Sequence, residues 1–303
     1  MTKKYSFFWE PAHWSGHDYF LHDQKIDQEN KYYCARLFKD KKLKITLYLA
    51  IRNDEAISLP AAPFGGFWID KKVSSEYFQY FVDLILKELS LLKIRCFSLV
   101  QAPKPYQEND EMIHYVLYRM GFELSQILLH QFIHDRKYIK GYVADHQLKF
   151  GRKLKKLSWE LQVGQIKNLN FLQEIHKWRA LRQHDYSVQE EQLIHQISTY
   201  PDRHFLITLA SVKEPFAHVL CVKLTSNSLY YYLPAINPVG QHSFSGDALM
   251  FGVLKLAENL GVDFIDLGSS DLSTEINHNL MRFKSKFANS ESNKLSWKFY
   301  FDR

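Results

Sequence analysis

Apolar positions along this chain change spacing in a fixed order, and that order occurs twice. In the first half, strand-like runs at 32–38, 43–52 and 56–59 end in Leu59-Pro60-Ala61, and Pro63-Phe64-Gly65-Gly66 follows. The spacing then becomes helical over 75–92, where the charges of Phe81-Val82-Asp83-Leu84-Ile85-Leu86-Lys87-Glu88-Leu89 fall at helical intervals. A short apolar strand (95–101), a second helix (110–120) and a strand (123–134) complete this half. In the second half, a strand over 229–233 ends in Leu233-Pro234-Ala235, and Pro238-Val239-Gly240 follows. A helix at 244–260, a strand at 262–268, a helix at 277–287 and a strand at 294–301 repeat the plan. Self-similarity of this length predicts two copies of one supersecondary unit.

Between the copies the pattern predicts a basic helix, a strand at 159–163, helices at 170–182 and 188–199, and a hairpin of 204–212 with 216–224 around Lys213-Glu214-Pro215. Alternation of β and α gives an α/β (α+β) class. Two domains are expected, 1–140 and 141–303, with the boundary between 134 and 151, each a mixed, largely antiparallel sheet flanked by helices.

Composition bounds the function. The 303 residues suffice for two domains with their own cores, and 46% hydrophobic with 24% charged residues is the balance of a soluble globular chain. No apolar stretch approaches the roughly 20 residues of a membrane helix, and Met1-Thr2-Lys3-Lys4-Tyr5 lacks a signal-peptide core. Cys34, Cys96 and Cys221 form no disulfide or zinc pattern. The cytoplasm is the expected location. His13 and His17 have the spacing of helical metal ligands, but Gly16 lies between them and no glutamate follows His13, so a surface loop and no metal is expected. No Walker loop or dinucleotide fingerprint occurs.

The net charge of +6 is unevenly spread. Lys149, Arg152, Lys153, Lys155 and Lys156 cluster between the halves, while Phe150, Leu154 and Leu157 recur at helical spacing. One reading is a solvated helix face. The other is a surface for a phosphate-bearing ligand or an RNA backbone, held by Arg152, Lys153 and Lys156.

The duplicated order, with each helix starting beyond a Pro/Gly-rich strand end, resembles the GNAT acyltransferase superfamily. Its tandem form is similar to the Fem-type peptidyltransferases and their relatives, which join two GNAT-like domains. Three segments carry the likeness: Leu59-Pro60-Ala61-Ala62-Pro63-Phe64-Gly65-Gly66-Phe67-Trp68-Ile69-Asp70, Phe264-Ile265-Asp266-Leu267-Gly268-Ser269-Ser270, and Asn279-Leu280-Met281-Arg282-Phe283-Lys284-Ser285-Lys286-Phe287. The GNAT pyrophosphate loop, Arg/Gln-x-x-Gly-x-Gly/Ala, is missing: the chain reads Asn237-Pro238-Val239-Gly240-Gln241-His242-Ser243-Phe244-Ser245-Gly246. Fem-type proteins depart from that loop too, and some carry a coiled-coil insertion that this chain lacks.

The resemblance implies an acyltransferase or aminoacyltransferase acting on an amine or hydroxyl of a small molecule or peptide. It implies no tightly bound cofactor, with acyl-CoA or aminoacyl-tRNA as co-substrate, so that tRNA is a candidate partner. It also places a functional lysine at Lys284, whose charge would stabilise an oxyanion or leaving group; pairing with Asp266 is the structural alternative. Tyr230 and Tyr232 share one strand face, and Tyr232 is the candidate proton donor. Phe64, Gly65, Gly66, Tyr230 and Asp266 complete the expected substrate contacts, the glycines because they allow close backbone approach. A second function class stays open: a non-catalytic tandem scaffold holding a sugar, peptide or RNA.

Overall fold

The computed structural model describes residues 5–12, 30–60, 62–181, 189–212, 214–239, 242–271 and 275–301, so His13 and His17 lie outside the described residues. The chain order is β1 (Tyr5–Pro11), β2 (Lys31–Lys39), β3 (Lys42–Arg52), β4 (Glu55–Ile57), β5 (Phe67–Ile69), α1 (Ser75–Leu91), β6 (Cys96–Val100), α2 (Asp110–Arg119) and β7 (Glu123–His134). Then come α3 (Arg136–Lys156), β8 (Glu160–Gln165), α4 (Asn170–Leu181), α5 (Glu190–Thr199), β9 (His204–Ala210), β10 (Pro215–Val222), β11 (Ser228–Ile236), α6 (Ser245–Leu260), β12 (Phe264–Asp266), α7 (His278–Ser285) and β13 (Ser290–Tyr300). The class is α/β, with mixed, mostly antiparallel strand pairing flanked by helices.

Two compact units result, Met1–His130 with Glu291–Arg303, and Gln131–Leu272 with Ile276–Ser290. Strands of the first unit follow the order β1-β2-β3-β4-β6-β13, with β5 on β3. The β2–β3 hairpin turns on Asp40 and Lys41, both at positive φ (47° and 66°), the left-handed pair that matches strand twist in a two-residue turn. In α1, Phe78, Phe81, Val82, Ile85 and Leu89 form one buried stripe at helical spacing. This stripe packs on Leu47, Leu49, Phe97 and Leu99 of the sheet.

In the second unit the strand order is β7-β12-β11-β10-β9-β8. Helices cover both faces of its sheet. Helix α6, with Ile139, Val143 and Phe150 of α3, packs on Ile207, Val219 and Cys221. Phe171, Ile175 and Trp178 of α4, with Leu193 and Ile197 of α5, pack on Leu220, Leu233 and Ala235.

The repeated plan is visible as one parallel pair per unit: β4 with β6 in the first and β11 with β12 in the second. The strands that follow are exchanged. Residues 132–134 of β7 pair with β12, and β13, which the sequence pattern groups with the second half, pairs antiparallel with β6 in the first unit. The reason is apolar: Trp297 of β13 is buried in the first unit's core, with Leu295 and Phe299 beside it. The segment around 134–151, expected as a boundary, is mostly the 21-residue α3. Leu233-Pro234-Ala235 lies inside β11 and does not close it.

At Gly252 of α6, an added Cβ would fall 2.6 Å from Ile207 Cγ2, so the helix sits against β9 at backbone distance. Gly252→Ala should therefore cost about 1–3 kcal/mol, the usual penalty of overpacking. Gly141→Ala in α3, where nothing lies within 4 Å of the new atom, should stabilise by about 0.5–1 kcal/mol through the unfolded chain. Urea denaturation of the two variants against wild type checks both signs.

Candidate functional site

In the second unit, β11 and β12 are paired only from Ser228↔Phe264 to Tyr230↔Asp266. Beyond Tyr230, β11 keeps its ladder to β10 while β12 turns away at Leu267. Pro234 lies in this one-sided stretch, where proline is tolerated. The register with β10 slips there: Cys221 faces Tyr231, Leu220 faces Leu233, and Tyr232 is the extra residue of a β-bulge. A bulge re-aims its side chain, and Tyr232 is 37% exposed while Tyr231 and Leu233 are buried. Its ring centroid lies 5.9 Å from that of Tyr230.

Where β12 ends, Gly268 adopts φ 69°. Its N–H donates to Asp266 Oδ1 (2.7 Å), and a Cβ placed on it would lie 3.4 Å from the Tyr230 hydroxyl oxygen. Lys284, on α7 and buried, sends its ammonium into this corner. Nζ donates to the carbonyl oxygens of Gly268 (3.2 Å) and Ser269. Burial pushes the Lys284 pKa down to about 8, against the opposing carboxylates of Asp266 and Asp271. Lys284, Asp266, Tyr230 and Gly268 thus lie together, around backbone carbonyls that the sequence reading did not foresee. Burial, and next the Asp266 carboxylate and Tyr232, raise the Tyr230 pKa, so its phenol keeps its proton. Tyr232 is also raised by burial, while the Arg179 charge pulls the other way.

An ammonium carries three donors. Two are committed to Gly268 and Ser269. Among the described residues, the third N–H has no acceptor.

Phe64, Gly65 and Gly66 belong to the first unit, and there the structure corrects the expectation. Phe64 is fully buried, its ring 4.6 Å from that of Tyr106, so it has no surface to offer a ligand. Gly65 bonds through its N–H to Val100 O (2.9 Å). Gly66, at φ 76°, lies so near Gln101 that a Cβ would fall 2.3 Å from Oε1. The Gln101 amide accepts from Phe67 N (2.9 Å) and donates to Phe67 O (3.1 Å). The close approach that these glycines allow is filled by the protein's own amide.

The basic helix α3 is also resolved residue by residue. Arg152 and Lys156 are exposed, whereas Lys153 Nζ lies 3.8 Å from the Phe244 ring centroid.

A second polar constellation escaped the sequence reading. His218 of β10, buried, places Nε2 2.6 Å from Glu174 Oε2 and Nδ1 2.9 Å from Thr208 Oγ1. Trp178 stacks on its ring at 5.2 Å. Neutral imidazole satisfies both contacts, with Nε2–H donating to the carboxylate and Nδ1 accepting from the hydroxyl. Burial lowers the His218 pKa, and Glu174 only partly offsets it. The signal in the sequence was the Phe171, Glu174, Trp178 spacing of α4, one face that encloses the ring.

No family model matches the sequence, and no curated protein matches it. Its fold does have solved counterparts. The crystal structure of FemX aligns with a TM-score of 0.67 over 90% of this chain and 88% of that chain, at 11% identity. The structure of L-PGS from Bacillus licheniformis aligns at 0.56 over 89% and 83%, with 12% identity. A GCN5-related glucosamine N-acetyltransferase region of a fungal multi-domain GH3 β-N-acetylglucosaminidase aligns at 0.50, with 10% identity, over 98% of this chain and 38% of that one. The fold is Fem-like, of the tandem GNAT type. No helix among the described residues is long and apolar enough to cross a membrane, and no cluster of metal-ligating side chains occurs among them.

Two titrations test this electrostatic picture. A lysine side-chain NMR titration should show one midpoint near 8, absent in Lys284→Met. For His218 the folded pKa lies below the ordinary 6.5, so the unfolded chain takes up the proton first as pH falls. Stability should then drop as pH falls below about 6.5, and His218→Gln should lose that slope while costing about 1–3 kcal/mol at neutral pH.

Proposed function

We propose that the chain is an acyltransferase or aminoacyltransferase whose reacting carbonyl is held at Lys284 in the opening between β11 and β12. The observation that carries this reading is the buried ammonium with two donors fixed on backbone carbonyls and no acceptor among the described residues for the third. Attack of an amine or hydroxyl on an acyl carbonyl puts negative charge on its oxygen, and a charged, pre-oriented donor in a dry site stabilises it most. A pKa lowered to about 8 keeps Lys284 mainly charged near neutral pH, yet lets it pass a proton to the leaving group. Tyr232, re-aimed by the bulge and still protonated, is placed to orient the acceptor or donate a proton. Asp266 fixes the Gly268 turn through its N–H bond and moderates the cost of the buried charge.

Support from the comparisons is at the level of fold: the FemX likeness, and an N-acetyltransferase region among the solved counterparts. On this reading acyl-CoA or aminoacyl-tRNA is the donor, and the acceptor is a small molecule or peptide. The pyrophosphate loop of ordinary GNAT enzymes is missing from residues 237–246, so donor affinity must come from other surfaces of the chain.

Incubation with radiolabelled acetyl-CoA and, separately, with charged tRNA, against a panel of amines and peptides, tests the assignment. Transfer from one donor is expected. Lys284→Met should lower kcat about 10²–10³-fold, the usual loss on removing an oxyanion donor, with a circular-dichroism melt confirming that the variant folds. Tyr232→Phe should cost less. Absence of transfer from both donors, or full activity in Lys284→Met, would overturn the reading.

A further inference from the structure

Ser270 stands one residue beyond the Ser269 carbonyl that accepts from Lys284, and its hydroxyl is uncommitted. The residue is 2% exposed, yet Oγ has no hydrogen-bond partner among the described residues. Nearly all buried polar groups find a partner, so one that does not asks for a physical reason. Its backbone, by contrast, is pinned. Ser270 O accepts from Asn277 N (2.8 Å), and the Asn277 side chain caps α7 by accepting from Leu280 N (3.0 Å). Asp271 and Ile276 form a bridge beside it. Residue 270 is thereby fixed to the start of the helix that carries Lys284.

Covalent geometry limits where the hydroxyl can be. Lys284 Nζ donates to Ser269 O, and standard bond lengths keep Ser270 Oγ within about 8 Å of that nitrogen. Two donors therefore end close together with no acceptor among the described residues: the third ammonium N–H and the Ser270 hydroxyl. A Cβ placed on Gly268, in the same turn, would lie 3.4 Å from the Tyr230 hydroxyl oxygen, and the Tyr230 ring is 5.9 Å from that of the part-exposed Tyr232. The corner thus adjoins the opening between β11 and β12.

We propose that the Ser270 hydroxyl is a second donor to the acyl oxygen received by Lys284. The inference rests on the transferase reading and adds a residue to it. Attack by the acceptor pushes the carbonyl electron pair onto oxygen, where two fixed donors hold it. The pair re-forms the C=O bond as the leaving group departs. A nucleophilic serine would need a base within hydrogen-bond reach of Oγ, and no described residue bonds to it. Ser270 therefore keeps its proton and forms no bond to the acyl group.

Ser270→Ala in the full chain tests the proposal, with the transfer assay and two measurements that need no activity. Its kcat should fall about 10–100-fold with KM nearly unchanged, the pattern of a contact made only in the transition state. Ser270→Ala/Lys284→Met should lose less than the product of the two single losses, because both groups act on one oxygen. The urea midpoint should hold or rise, since Oγ makes no bond inside the protein. The Lys284 NMR midpoint should stay near 8. Full kcat in Ser270→Ala overturns the proposal while the transferase reading stands. A lowered urea midpoint or a displaced Lys284 midpoint overturns it too, because the serine is then structural, as does an acyl group found on Ser270 by mass spectrometry. Absence of transfer by the wild type removes the transferase reading, and the second donor with it.

Discussion

A buried ammonium must be surrounded by oxygen, and much of the second unit's geometry around Lys284 follows from that requirement. Desolvating a cation costs several kcal/mol unless donors and charges are matched. Here the match comes mainly from main-chain carbonyls at the end of β12, supplied by Gly268 and Ser269. Those carbonyls can point inward because Gly268 takes a left-handed conformation held by the Asp266 carboxylate. A side chain at Gly268 would meet Tyr230 only at ordinary van der Waals distance, and the positive φ is what favours glycine there. The lysine, the turn, the aspartate and the tyrosine therefore form one coupled unit, in which a change at any member is felt by the others.

The opening beside that unit has its own cause. The short β12 stops pairing at Asp266 while β11 runs on to Ile236. The freed edge is one-sided, and the bulge at Tyr232 sits on the pairing that remains. Packing behind it is dense: α4 and α5 cover one face of the sheet, α6 and α3 the other. The sheet is thus packed on both faces while one edge is split. The His218, Glu174 and Thr208 relay belongs to this scaffold, fastening α4, the helix whose Arg179 charge reaches Tyr232.

Charge is divided between two places with different physics. At Lys284 a single cation is buried and its proton affinity is depressed. Beside α3, Lys149 and Lys153 line a cavity of about 220 Å³ together with Lys286 and Asp247. Arg152 and Lys156 share the helix with Lys149 and Lys153, yet only the latter pair lines the cavity. The helical period separates neighbours that a count of basic residues treats as equivalent.

Local pattern in the chain determined the element order, the two copies of the strand-helix-strand plan and the placement of Lys284 on a helix after a strand ending in glycine. These depend on neighbours two to four residues away, which periodicity records. The short β5 (Phe67–Ile69) escaped the pattern. Tertiary structure alone decided the partners of β7 and β13, since pairing depends on which apolar faces meet and not on order along the chain. It also decided what the glycines at 65 and 66 are for: the side chain that fills their space is Gln101, 35 residues beyond Gly66 in the sequence. The same holds for Phe64, which reads as a loop aromatic and is core. His218 shows the limit most plainly, because one histidine among 14 becomes distinctive only when a helix 44 residues earlier in the chain brings a carboxylate to its ring.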